Sequence, residues 1–123
     1  MVRVETLQGD WEIVGEQIYN NKIRKWVDQS DFALGAKFTF RALYERREVE
    51  QGIVLFDNYV LFGRREMGYL YVPKKRHIVI GIEQQNVYDV RVTKIGSYEE
   101  PIIRLRLIVD KKAQNTCLLL RRV

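Results

Sequence analysis

With 123 residues, 46% of them hydrophobic, the chain can bury roughly two-thirds of its unfolded surface in a single domain spanning 1–123, and its composition gives no argument for disorder. No apolar run approaches the roughly 20 residues that a membrane-spanning helix needs, and a lone cysteine, Cys117, excludes an intramolecular disulfide. A net charge of +5 favours acidic partners only in a general way, because the basic residues fall in scattered doublets such as Arg46-Arg47, Arg64-Arg65 and Arg121-Arg122 rather than in one run.

The first residues, "MVRVETLQG", lack the apolar core of a signal peptide. That predicts a cytoplasmic protein if the chain is whole, and an exported one if a leader was trimmed. "TLQGDWEIVG" (6–15) then reads as a first strand carrying Gly9 and Trp11. Residues 19–35 alternate poorly, while Ile23, Trp26 and Val27 have the i, i+3, i+4 spacing of a short helical face. This predicts a long first loop with room for one short helix, closed by Gly35.

From Ala36 onward the period is two. Phe38 and Phe40 alternate with Lys37, Thr39 and Arg41; Tyr88, Val90 and Val92 with Asp89, Arg91 and Thr93; Ile103, Leu105 and Leu107 with Arg104 and Arg106. Such segments are strands with one buried and one wet face. The runs 53–56, 59–62, 69–72, 77–82 and 117–120 are apolar on both faces and call for a cover on the outer one. Turns are expected at Asp57-Asn58, at 73–76 and 83–86, with longer connections at 94–101 and 110–115. The pattern predicts an all-β antiparallel up-and-down meander of eight to nine strands, closed into a barrel because closure removes both exposed edges.

Gly9-x-Trp11 at the start of the first strand, the long first loop and the meander resemble the lipocalin and fatty-acid-binding (calycin) families. The closest likeness is to the small bacterial lipocalin-like barrel domains, carried here by Leu7 to Val14, Phe38-Thr39-Phe40 and Gly52 to Phe62. The resemblance implies that Trp11 plugs the closed end of the barrel, with Arg121 or Arg122 from the last strand packed over its ring. It does not extend to the Arg-x-Tyr carboxylate clamp of the intracellular lipid carriers, since "CLLLRRV" has no tyrosine. Strand parity decides whether the arginines reach Trp11. They do if 59–72 is one strand kinked at Gly63, giving eight; they do not if it is two, giving nine.

No catalytic constellation stands out. The two serines, Ser30 and Ser97, lie in expected loops, the one histidine, His77, reads as a rim residue, and Cys117 as a buried small hydrophobe. No metal-ligand spacing or phosphate loop is visible, so neither cofactor nor metal is expected. The expectation is a non-enzymatic carrier of a small hydrophobic ligand. Phe38, Phe40, Tyr88, Val90, Val92, Leu105 and Leu107 would face the cavity, Gln17 and an inward arginine would supply polar groups suited to a carboxylate, and Trp26 and Phe32 would form a lid. The alternative is a barrel filled by its own side chains that works as a protein–protein or inhibitor module, or as a homodimer, through outer residues such as Tyr59, Leu61, Tyr69 and Tyr71. Nucleic-acid binding through Arg41, Arg91, Arg104 and Arg106 is the weakest of the three, because Glu48, Glu50 and Asp89 accompany them.

Overall fold

The computed structural model describes residues 7–29, 35–46, 48–58, 63–81, 84–93 and 102–123. Its strands are β1 (Gly9–Asn20), β2 (Lys25–Asp28), β3 (Lys37–Arg46), β4 (Val49–Asn58), β5 (Gly63–Val72), β6 (His77–Ile80), β7 (Asn86–Thr93), β8 (Ile102–Val109) and β9 (Lys112–Arg122). All pair antiparallel in the order β2-β1-β3-β4-β5-β6-β7-β8-β9, and β1 also pairs with β9. That last pairing closes eight strands, β1 and β3–β9, into a barrel and leaves β2 as a ninth strand folded back on the far half of β1. No helix among the described residues is long and apolar enough to cross a membrane.

The even count rests on where β5 begins. Gly63 pairs with Asn58 at the end of β4, so 59–62 falls at the β4–β5 connection, outside the described residues. Asp57 and Asn58, expected as the turn, belong to β4 and pair with Arg64 and Gly63. The expected long connection at 110–115 is instead a two-residue turn. Asp110 and Lys111 have φ of 52° and 64°, the left-handed pair that matches strand twist in a tight hairpin, and β9 starts at Lys112. Residues 94–101 lie outside the described set.

The expected helical turn in the first loop is a hairpin. β1 runs to Asn20, whose side-chain oxygen accepts the backbone N–H groups of Lys22 and Ile23, and Arg24 at φ 55° completes the reversal. Tyr19 then pairs with Trp26 and Ile18 with Val27. The helical spacing of Ile23, Trp26 and Val27 was coincidental; the Asn20-Asn21 turn chemistry, which favours a reversal, decides the local structure.

Inside the barrel, aromatic side chains meet across strands. Phe38 and Phe56, directly opposite in register, have ring centroids 5.0 Å apart, and Phe40 meets Tyr69 edge-on at 5.2 Å. Tyr69 and Tyr71, expected on the outer face, are buried in this core instead. Because both faces of "YLYV" are apolar, alternation alone left its phase undetermined. The phase follows from pairing with the inward face of β4, where Glu50, opposite Tyr71 and fully buried, accepts a hydrogen bond from the Tyr69 hydroxyl. Tyr69 thus gives a buried carboxylate the donor it needs. Gly52 keeps β3 and β4 in contact here, since a Cβ on it would collide with the Arg41 carbonyl oxygen.

Candidate ligand-binding site

The two ends of the barrel differ in construction. At the end where β1 starts and β9 finishes, Trp11 is opposite Arg122. The guanidinium carbon of Arg122 lies 4.3 Å from the Trp11 ring centroid, a cation–π contact, and its Nη1 donates to the Gln8 carbonyl at 2.7 Å. Trp11 is 3% exposed and its Nε1 donates to the carbonyl of Leu7, itself fully buried, at 2.8 Å. Gly9 has φ 109°, and a Cβ there would meet Arg122 Nη1 at 2.8 Å. The glycine of Gly-x-Trp therefore serves both the backbone conformation and the arginine's path. Of the two arginine candidates Arg122 forms the roof, while Arg121, one residue out of phase, lies outside and donates to Glu12 at 3.1 Å.

At the other end, a single bulge in β1 decides the chemistry. Ile13 pairs with Leu120 and Gly15 with Leu119, so Val14 is an extra residue. An inserted residue reverses the side-chain phase of everything after it. Before the bulge Trp11 and Ile13 face the core; after it Glu16, opposite Leu118, faces the interior, and Gln17, opposite Cys117, faces out. Gln17, expected in the cavity, hydrogen-bonds Asp28 on β2 at 3.1 Å instead.

Glu16, Tyr88, Leu105, Leu107, Thr116 and Leu118 line a cavity of about 250 Å³ at this mouth, bordered by Gln29 and Cys117. Tyr88, Leu105 and Leu107 were expected there. Phe38, Phe40 and Val90 are buried deeper, in the packed core. Val92, expected to face the cavity, is 47% exposed. Burial raises the Tyr88 phenol above its ordinary range, so it is a neutral hydrogen-bonding group at neutral pH. Glu16, Thr116 and Leu118 escaped the sequence reading. For Glu16 the trace was the lapse of alternation at Ile13-Val14-Gly15; Thr116 and Leu118 left none.

Trp26, expected as a lid, covers the outer wall. It packs with Val14 against Ile102, Cys117 and Leu119, with the guanidinium carbons of Arg104 and Arg106 5.4 and 5.3 Å from its ring centroid and the Tyr19 ring 5.4 Å away. This small outer core answers the two-faced apolarity of "CLLL". Burial pushes the Cys117 thiol up to about 11, outweighing Arg104, Arg106 and a backbone hydrogen bond at Gln17, which act the other way. Phe32, Tyr59 and Leu61 lie outside the described residues.

The expected basic stripe is largely engaged within the molecule. Arg91 Nε is 2.7 Å from Asp89 Oδ2, Arg106 Nε donates to the Gln114 carbonyl at 2.6 Å, and Arg104 and Arg106 face Trp26. Arg41 is exposed. Among the described residues no group of three or more His, Cys, Asp or Glu is placed to hold a metal ion. No protein-family model, no curated protein and no solved structure matches this chain.

Proposed function

We propose that the protein is a non-enzymatic, lipocalin-like binding protein that takes a small, largely apolar ligand into the mouth of its barrel. The observation that carries this is the mouth cavity itself, walled by Leu105, Leu107, Leu118 and Tyr88 at the end opposite the Trp11 plug. An apolar wall with a few fixed polar groups is the usual make-up of a small-molecule site. At about 250 Å³ the cavity is below the roughly 300–1,000 Å³ common for such sites, which suits a short or only partly enclosed ligand. Titration with N-phenyl-1-naphthylamine, a neutral apolar probe, should give saturable fluorescence enhancement at one site per chain. Leu107→Trp should abolish it by filling the cavity. No enhancement, or enhancement indifferent to Leu107→Trp, would refute this function.

A second reading, a protein–protein module or homodimer, is favoured by a groove of about 380 Å³ on the outer face of β4–β6. Leu70 and Val79 line it between Gly52, Gly68 and Gly81. Sedimentation at micromolar concentration tests it: a dimer that Leu70→Glu dissociates would support this use of the face, and a monomer throughout would count against a homodimer.

A further inference from the structure

We infer that the barrel mouth selects an amphiphile whose polar head is a cationic hydrogen-bond donor, an alkylamine or related ammonium group, rather than a carboxylate. This rests on the ligand-binding function proposed above and names the chemistry of the ligand's head.

The phase reversal at Val14 is the origin. It removes the neutral amide of Gln17 from the interior and brings in the carboxylate of Glu16, on the same cavity wall as Leu118. Glu16 makes no ion pair and no side-chain hydrogen bond with the described residues. Its acceptor oxygens, half-buried at the rim of an apolar cavity, are therefore open to a donor from a ligand. The remaining polar side chains bordering the cavity, Tyr88, Thr116 and Gln29, carry no charge and can accept from the same head.

The cations that would welcome a carboxylate are turned elsewhere. Arg104 and Arg106 are on the adjoining wall but in the opposite phase, over Trp26 on the outside. Arg122 roofs Trp11 at the far end of the barrel. Arg65 is opposite the core residue Phe56 and so shares the interior phase, but it stands on β5, is exposed, and is not part of the cavity wall. An anionic head seated among Leu105, Leu107 and Leu118 would meet Glu16 at close range in a partly desolvated site, where like charges repel far more than in water. An ammonium in that position gains a charge-assisted hydrogen bond.

The test compares three ligands of equal chain length on the full chain by isothermal calorimetry at neutral pH and below their aggregation concentrations: decylamine, 1-decanol and decanoate. Decylamine should bind at least tenfold more tightly than decanoate, with decanol between them. Glu16→Gln should erase the amine's advantage over decanol and decanoate. The net charge of +5 biases non-specific surface binding towards decanoate, so the expected order runs against the protein's overall field. Decanoate binding as tightly as decylamine, or an amine preference that survives Glu16→Gln, would overturn the head-group assignment while leaving the carrier function standing. Binding of none of the three would overturn both. The wild-type order is decisive by itself should the variant fold poorly.

Discussion

Trp11 and Trp26 are each roofed by arginine, one inside the barrel and one outside, and the difference lies in how the backbone delivers the contact. Trp11 and Arg122 are directly opposite on adjacent strands, so register alone brings guanidinium and ring to 4.3 Å. Trp26 stands on β2 and its arginines on β8, with β1 and β9 between them, and the separations are 5.3 and 5.4 Å. The inner pair is imposed by the closure of the sheet; the outer one depends on long side chains reaching across it. The first should behave as part of the fold and the second as a brace.

The largest expected effect follows on the inner side. Trp11→Ala should cost roughly 3–5 kcal/mol, as other deletions of large core side chains do, measured by chemical denaturation. A loss near zero would place Trp11 outside the core. Gly9→Ala should cost roughly 1–3 kcal/mol, mainly from a side chain forced to φ 109°, because the arginine tip it meets can move aside. Trp26→Ala should cost less, roughly 1–2 kcal/mol from its half-buried ring and exposed-type cation–π contacts. It should also raise the alkylation rate of Cys117, which Trp26 helps to cover. Equal losses for the two tryptophans would dissolve the distinction between plug and brace.

The neighbouring arginines sharpen it further. Arg122→Gln should cost about 1–2 kcal/mol through the lost cation–π contact and the hydrogen bond to the Gln8 carbonyl. Arg121→Gln, which breaks the surface ion pair with Glu12, should stay within about 0.5–1 kcal/mol. The effect that vanishes at neutral pH is one of titration. Cys117 has its thiol raised from 9.0 to about 11 by burial, so the unfolded chain loses this proton first. Stability should be unaffected by Cys117 below pH 9 and decline as pH climbs from there through 11. In Cys117→Ala that component of the alkaline decline should be missing, as denaturation midpoints across this range would reveal.

The all-β meander and its closure were legible because alternation in β3, β7 and β8 is clean and because closure is the common fate of a long meander. That Trp11 is buried beneath an arginine of the last strand was expected only through the resemblance carried by Gly9-x-Trp11. Most of what the sequence left hidden shares one cause: phase. A bulge at Val14 moves a single residue, yet exchanges Gln17 for Glu16 at the mouth. In β5 the two-faced apolarity of "YLYV" carried no phase until pairing with β4 supplied one. The hairpin at Asn20 was masked by a chance helical spacing, and Trp26, expected in a lid, packs as an outer brace. Local pattern specifies that a strand exists; which side faces in depends on partners far along the chain.

The pairing of β1 with β9 joins residues more than a hundred positions apart, as in the hydrogen bond from Arg122 to Gln8. Such long-range closure makes for high contact order and slow folding. During synthesis, β1 must leave one long edge unpaired until residues 112–122 have emerged. For most of its assembly the molecule is thus an open sheet with an adhesive border, and Glu12 and Glu16 along that border put like charges where a second nascent chain would dock.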